Sequence, residues 1–258
     1  MLTRELVNDV YCQGVSFTVS DMDELAHAVA LVLIQEFAIA KSLLGGEPEL
    51  EDLAEVGLPI DDIEDIIDRR LKPTDVYHRD GLLFQLVMWL AAHLDLEPGD
   101  LVAPPHSQGS AKGQDSVIVH RANGTVVALS ICEDKATENP RKTVREEVWP
   151  EIKDYETGGR RDELRSILIT TLGTGGLSPE EAARLIRGIS WEGKRRYRVR
   201  VTVQEERTPK LFKGFNDLVA GDGEMRRGES MHLPEMRAWM TGFASAVEAH
   251  LRNYVKEG

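Results

Sequence analysis

Three ionisable side chains lie at the ends of two neighbouring apolar segments in "DSVIVHRANGTVVALSICEDK". Asp115 opens the first segment, and Glu133 and Lys135 close the second. Two carboxylates a few ångströms apart repel each other unless a cation lies between them or one is protonated. Mg²⁺ prefers such carboxylates with water and phosphate oxygens, and a lysine beside it can orient or deprotonate a water. These residue types therefore suit metal-dependent phosphodiester hydrolysis.

The same residues form a β-hairpin in which "ANG" (122–124) is the turn signal. A turn centred on Asn123 pairs Asp115 with about Ile131, within a residue or two of Glu133. Side chains alternate along a strand, so Glu133 and Lys135 share one face and Asp134 points away. A slip of one residue would turn Asp115 to the opposite face. The alternative is a plain salt bridge at the edge of a sheet.

Helices and strands around this hairpin must position it. Periodicity predicts an α/β class fold with a mixed central sheet flanked by helices and helical N-terminal additions. Asp80 is expected to cap the buried helix before the hairpin, and Pro150 is expected to kink or split the helix after it. The predicted helices span 21–44, 61–71, 80–94, 139–155, 178–189 and 234–254, and the predicted strands span 100–103, 115–120, 125–132, 165–172 and 195–204.

Charge divides the chain into two parts, although the whole carries a net charge of −13. Residues 1–79 form an acidic, mostly helical N-terminal region, and 80–258 form the predicted core with a basic strand and a C-terminal helix. A basic stripe on one strand suits contact with a nucleic-acid backbone, or it pairs with the acidic N-terminal region. The candidate nucleic-acid contacts are Lys142, Arg145, Arg196, Arg198 and Arg200.

Several other functions are not indicated. The N-terminus has no apolar stretch after a basic start, and the longest apolar run (28–40) is too short to span a bilayer, so a cytoplasmic protein without membrane contact is expected. Cys12 and Cys132 are expected to be reduced core residues. The histidine spacing indicates no zinc site. Ser110, Ser116 and Ser130 have no His-Asp context in the sequence, so serine catalysis is not predicted.

"GQD" (113–115) before one strand and "CEDK" (132–135) ending the next resemble the PD-(D/E)XK nuclease superfamily. The resemblance covers roughly 80–172 and implies a restriction-endonuclease-like core. It further implies that Asp115, Glu133 and the backbone carbonyl of Asp134 hold Mg²⁺, for which Mn²⁺ substitutes, and that Lys135 positions the attacking water.

Four positions near these motifs differ from the superfamily pattern or match it only in part. Gln114 stands where the family has proline. Gln85 stands where the family often adds an acid from the first core helix. Glu151 and Tyr155 share one helix face at a spacing where some members have glutamine and tyrosine. A missing helix acid would weaken a second metal site and leave the three residues Asp115, Glu133 and Lys135 intact.

The overall layout also resembles the nuclease subunit of the Hachiman anti-phage defence system. That resemblance implies antiviral defence by DNA cleavage under the control of a helicase partner, with the acidic N-terminal region docking the partner or shielding the nuclease groove. Two alternatives stay open at this point. One is a stand-alone type II-like restriction endonuclease, and the other is a non-catalytic adaptor that keeps the nuclease fold.

Overall fold

The computed structural model describes residues 1–45, 56–105, 115–187, 193–205 and 208–256. Within them, seven strands form one sheet in the order β1-β2-β7-β6-β5-β4-β3. The four central strands β2, β7, β6 and β5 run parallel, and antiparallel pairs flank them at both sides. The strands are β1 (Leu2–Leu6), β2 (Gln13–Val19), β3 (Leu101–Val102), β4 (Ser116–Ala122), β5 (Thr125–Lys135), β6 (Arg195–Val203) and β7 (Arg226–His232).

Helices cover both faces of this sheet. Two of them contain a π-helical turn, and a short 3₁₀ turn (Gly223–Met225) precedes β7. The helices in the described residues are α1 (Met22–Leu33), α2 (Phe37–Gly45), α3 (Ile60–Ile66 continued by the π turn Ile67–Leu71), α4 (Val76–His93), α5 (Pro140–Thr143, the π turn Val144–Val148 and Trp149–Thr157), α6 (Arg161–Thr174), α7 (Pro179–Arg187), α8 (Phe215–Leu218) and α9 (Met236–Arg252).

Two apolar cores hold the layers together. Helices α1, α3, α4 and α9 pack on one face with residues such as Phe17 of β2 and Met231 of β7. Helices α5, α6, α7 and α8 pack on the other face against Ile131 of β5 and Val199 of β6. The α/β class with a mixed, helix-flanked sheet is therefore confirmed. The sheet joins strands from 1–79 and 80–258, since β2 pairs with β7.

The segment 165–172 was predicted to be a strand, but it is part of the helix α6. Its β-branched residues favour a strand locally, yet Leu164, Leu168 and Leu172 recur at helical spacing and are buried against the second core. The strand that pairs parallel with β5 is β6, which begins after α6 and α7. Tertiary packing thus overrides β propensity in this segment.

Other predicted boundaries in the first hundred residues were also wrong. The helix predicted over 21–44 is two helices, separated at Gln35, whose φ is 68°. Helix α4 begins at Val76 with Asp75 as its N-cap, so Asp80 is not a cap. Asp80 is buried and binds Arg79 and Arg237.

The strands β1, β2 and β7 were not predicted, because they carry charged or small polar residues without a clear alternation.

The other predicted elements lie close to their expected positions. The hairpin strands, the short strand near 100–103, and the helices near 60–71, 178–189 and 234–254 are all present in the described residues. The helix after the hairpin is interrupted just before Pro150, as predicted, because the π turn Val144–Val148 separates its two α-helical stretches there. Cys12 and Cys132 are buried and form no disulfide. No helix among the described residues has the length and apolar character needed to cross a membrane.

His93 at the end of α4 should make the fold sensitive to acid. Burial lowers the pKa of His93 from 6.5 to about 4, although its hydrogen bond to the Trp89 carbonyl (2.8 Å) opposes this shift. The unfolded chain therefore takes up the proton first as the pH falls, and stability is lost between pH 6.5 and about 4. We expect the wild type to lose up to about 3 kcal/mol relative to His93→Gln across this window, measured by urea denaturation. The exposed His78→Gln is the control, and equal pH dependence of wild type and His93→Gln would contradict the prediction.

Candidate active site

The open end of the β4–β5 hairpin brings Asp115 beside Glu133. Ser116 pairs with Cys132, and the Asp115 N–H donates to the Cys132 carbonyl (3.2 Å). The predicted pairing with Ile131 was therefore two residues off. A two-residue turn at Asn123 and Gly124 accounts for one residue, and a β-bulge beyond His120 accounts for the other. A shift of two residues keeps the same face of the strand, so the expected juxtaposition survives.

Asp115 and Lys135 line a cleft of about 770 Å³ at this end of the sheet. The Lys135 Nζ lies 3.7 Å from Glu133 Oε2 and 3.6 Å from Glu151 Oε1, so it bridges a carboxylate of β5 and one of α5. Glu133 itself is only 1 % exposed. The cleft lining in the described part of the chain comprises Tyr77, His78, Gly81, Gln85, Asp115, Asp134, Lys135, Ala136, Thr137, Glu138, Asn139, Thr143, Glu147, Glu151, Arg160 and Arg237.

Glu133 is buried beside this cleft with little hydrogen bonding, whereas Asp115 and Glu151 are partly exposed. Neither carboxylate oxygen of Glu133, nor Oε2 of Glu151, has a hydrogen-bond partner among the described residues. Burial, followed by the charges of Asp115 and Glu151, raises the pKa of Glu133 well above its ordinary value. Burial also raises the pKa of Asp115, and Lys135 opposes this rise. Buried carboxylates with unused oxygens are expected where a cation binds.

Donor chemistry at the site fits a divalent cation with few protein ligands. Within the described residues, no group of three or more His, Cys, Asp or Glu side chains is arranged to hold a metal ion. Mg²⁺ needs no such group, because it is commonly held by one or two carboxylates and completes its shell with water and phosphate oxygens. Asp115 and Glu133 supply two carboxylates, and the backbone carbonyl of Asp134 lies between Glu133 and Lys135 in the strand.

Two hydrogen bonds orient the Asp115 carboxylate. The side-chain amide of Gln85 on α4 donates to Oδ1, and the Asp134 N–H donates to Oδ2 (2.5 Å). Gln85 thus lies in the cleft, where sequence reasoning placed it, and acts on Asp115 through its amide. Both oxygens of Asp115 are held by neutral donors, which fixes the direction of the carboxylate without cancelling its charge.

The Asp134 side chain lies on the opposite face of the sheet, as the alternation predicted. Arg200 of β6 donates from Nε to Oδ1 and from Nη2 to Oδ2 (2.8 Å), and its Nη1 donates to the Met88 carbonyl (2.8 Å). Both partners of this pair are buried. Asp134 raises the pKa of Arg200, while burial acts against it, so the guanidinium stays charged. The pair anchors the strand segment that carries Glu133 and Lys135.

The predicted basic face of β6 is not a nucleic-acid surface. Arg198 and Arg200 are buried, and Arg198 donates to Glu229 (2.6 Å) and lies 3.5 Å from Asp95. Arg196 is only partly exposed and pairs with Glu224. Because β6 lies in the middle of a sheet covered on both sides, its alternation marks an internal ion-pair network. In the described part of the chain, the acids paired with these arginines all lie beyond residue 79, so pairing with the N-terminal region 1–79 is not seen there; they are Asp95, Asp134, Glu224 and Glu229.

Lys142 and Arg145 lie on exposed turns of α5. Both approach Glu146, at 3.9 Å and 2.5 Å, and remain mostly exposed. Lys142 lines a neighbouring cleft that shares Glu138 and Asn139 with the first one. Their exposure is compatible with phosphate contacts, and nothing in their surroundings tests that role.

Two further cleft residues bear on the chemistry. Glu151 lies on α5 and lines the cleft. Its spacing to Tyr155 was the feature of the sequence that could have predicted this position. Arg237 comes from α9, where it binds Asp80 and stacks its guanidinium 4.3 Å from the Tyr77 ring centre. Nothing local in the sequence indicates Arg237, because it reaches the cleft from a helix a hundred residues beyond the hairpin. Gln114 lies outside the described residues.

A comparison of the chain with models of known protein families found no match, and a comparison with curated proteins also found none.

Proposed function

We propose that this protein is a Mg²⁺-dependent nuclease that hydrolyses DNA phosphodiester bonds. The observation that carries the proposal lies at one end of the cleft, where Asp115 and Lys135 form part of the lining and Glu133 is buried beside Lys135. Neither carboxylate oxygen of Glu133 has a hydrogen-bond partner among the described residues. The 3.7 Å ion pair with Lys135 leaves both oxygens without a hydrogen bond, and burying an unsatisfied group costs about 1–3 kcal/mol, so a bound cation would stabilise this arrangement.

The order of elements also supports the proposal. Helix α4 precedes three antiparallel strands, β3 to β5, and α5 leads on towards β6, which lies parallel beside β5. This order follows the helix–strand–hairpin–helix–strand pattern implied by the resemblance to PD-(D/E)XK nucleases, with β6 in place of 165–172. A motif gains weight when its structural context agrees with it.

Asp115, Glu133 and the backbone carbonyl of Asp134 would hold the metal. A bound divalent ion supplies charge neutralisation at a scissile phosphate and lowers the pKa of a water. Lys135 holds and orients the attacking water through its ammonium protons. Burial lowers the pKa of Lys135, but Glu133, Asp115 and Glu151 together raise it above its ordinary value. Lys135 therefore stays protonated and acts as a hydrogen-bond donor, which argues against its use as a base.

The distribution of charge limits how DNA can approach. The cleft is acidic at its base, and Arg160 and Arg237 are the cationic side chains at its walls besides Lys135 in the described lining. These arginines, with Lys142 and Arg145 on the adjacent α5 surface, are suited to the phosphates on either side of the scissile bond. The defence role and the helicase partner rest on the resemblance of the overall layout alone and remain predictions.

Lys135→Met should reduce DNA cleavage by about 100- to 1000-fold, because it removes the donor that orients the water and meets the developing charge. The assay compares plasmid, linear duplex and single-stranded DNA with Mg²⁺, Mn²⁺ or EDTA. Lys153→Met is the matched control, since Lys153 is exposed on α5 and is not among the described residues of the cleft. We expect the control to cut at the wild-type rate.

The same assay separates the alternatives. Discrete fragments from purified duplex DNA would favour a stand-alone restriction endonuclease. If the wild type cuts no DNA with either metal, and cells expressing it behave like cells expressing Lys135→Met, the nuclease proposal is wrong and the adaptor alternative takes its place.

A further inference from the structure

On the face of the sheet opposite the acidic cleft, three polar side chains form one hydrogen-bonded chain. Asp100 Oδ2 lies 2.8 Å from His120 Nδ1, and His120 Nε2 lies 2.8 Å from Ser130 Oγ. The expectation that Ser130 lacks a His-Asp context is therefore wrong. Spacings of 20 and 10 residues gave no signal, and the β4–β5 register brings the histidine and the serine together.

The hydrogen-bonding capacity of Asp100 determines which atoms carry the protons in this network. An ionised Asp100 carboxylate can only accept, so Nδ1 of a neutral His120 carries the proton and Nε2 has a free lone pair. The Ser130 hydroxyl must then donate to Nε2. Asp100 is held in place because its Oδ1 accepts the Arg121 N–H (3.1 Å). Burial lowers the pKa of His120, and Asp100 opposes this shift, which leaves the imidazole able to accept a proton at neutral pH.

Ser130 lies at a cleft of about 250 Å³, with His120, Asp100 and Arg196 also in its lining. Arg196 occupies the position of β6 directly beside Ser130 in the parallel register. Its Nε is buried and has no hydrogen-bond partner among the described residues. A fixed donor with no other hydrogen bond, beside a nucleophilic serine, is the feature that stabilises negative charge on the carbonyl oxygen of a substrate that the serine attacks.

We propose that Ser130, His120 and Asp100 form a second catalytic site, which hydrolyses a small uncharged carboxylic ester. The small cleft volume limits the size of the acyl group. Arginines and acids both line the cleft: Arg198 and Arg227 pair with Asp95, and Arg196 pairs with Glu224. No single sign of charge therefore selects an ionic substrate. The site lies on the other face of the sheet from Glu133 and does not rest on the nuclease proposal.

The chemistry balances without a co-reactant other than water. Ser130 Oγ attacks the ester carbonyl carbon while its proton moves to His120 Nε2. The bond from that carbon to the alkoxy oxygen then breaks, and the proton on Nε2 passes to the leaving alcohol. Water next attacks the acyl-serine, gives a proton to Nε2, and releases the carboxylic acid as Ser130 regains its proton. Arg196 Nε donates to the carbonyl oxygen while it carries negative charge.

The first test is covalent labelling of the full chain with an alkyl fluorophosphonate, followed by mass spectrometry of the labelled peptide. We expect one adduct on Ser130 and none in Ser130→Ala. Ser116→Ala is the matched control. Ser116 lies in β4 and is buried like Ser130, but its hydroxyl has no hydrogen-bond partner among the described residues. Ser116→Ala should label like the wild type. Folding of each variant is checked by circular dichroism.

The second test is hydrolysis of p-nitrophenyl acetate. Ser130→Ala and His120→Gln should each lower kcat/KM by at least about 100-fold. Asp100→Asn should lower kcat by a similar factor with little change in KM, since Asp100 positions the imidazole and does not touch the ester. A folded wild type that forms no adduct at Ser130, or a Ser130→Ala variant that hydrolyses the ester at the wild-type rate, would overturn the proposal.

Discussion

Replacing Glu133 with glutamine should abolish metal-dependent DNA cleavage and also stabilise the fold. Activity should fall by at least about 1000-fold, because the variant loses a charged ligand of the proposed metal, whose effect on the transition state is worth several kcal/mol. Stability should rise by about 1–3 kcal/mol, because a buried carboxylate without a hydrogen-bond partner is replaced by a neutral group of the same shape. The new amide can donate to the carboxylate of Glu151, and Lys135 keeps Glu151 as its ion-pair partner.

The stability gain in Glu133→Gln should depend on pH in a defined direction. Burial raises the pKa of Glu133 in the folded state, so the folded chain binds this proton more tightly than the unfolded chain. The wild type is therefore most stable, relative to the variant, below the ordinary glutamate pKa, and it loses that stability as the pH rises through the folded pKa. The difference between the two proteins should accordingly shrink on acidification.

Urea denaturation with Mg²⁺ or EDTA measures these effects without any DNA. Mg²⁺ should raise the unfolding midpoint of the wild type and leave that of Glu133→Gln unchanged, because a ligand stabilises only the state that binds it. Glu147→Gln is the matched control, since Glu147 lines the same cleft but is exposed. Destabilisation of Glu133→Gln by more than about 1 kcal/mol at neutral pH would show that Glu133 is a structural residue with a satisfied charge.

Arg200→Met should destabilise the protein by about 3–5 kcal/mol, because it leaves Asp134 as an uncompensated buried charge. The Met88 carbonyl loses its donor in the same variant. The double variant Arg200→Met/Asp134→Leu should recover most of this loss, since an apolar pair of similar volume often replaces a buried ion pair without cost.

Chemical denaturation of the single and double variants measures this prediction. Arg196→Met is the control on the same strand, where a partly exposed arginine pairs with an exposed Glu224, and it should cost less than about 1 kcal/mol. Arg200→Met should lower the free energy of unfolding by clearly more than this control does. Equal effects of the two substitutions would mean that the Arg200–Asp134 pair does not hold the active-site strand in place.

The sequence by itself determined the local parts of the candidate site. Strand alternation placed Glu133 and Lys135 on one face and Asp134 on the other, and both assignments agree with their contacts. The Asn-Gly turn predicted the hairpin, and Pro140 and Pro179 marked the starts of α5 and α7. These features depend on residues within a few positions of each other, where side-chain period and turn chemistry decide the conformation.

Only the tertiary structure decided which distant residues share an environment. Neighbouring strands bury Arg198 and Arg200 of β6 in ion pairs, and packing against the second core makes the β-branched segment 165–172 helical. Long-range contacts likewise brought Glu151 and Arg237 to the acidic cleft and joined Asp100, His120 and Ser130 on the opposite face. The physical reason is that burial and charge pairing depend on what lies across the sheet, which periodicity along one segment does not encode.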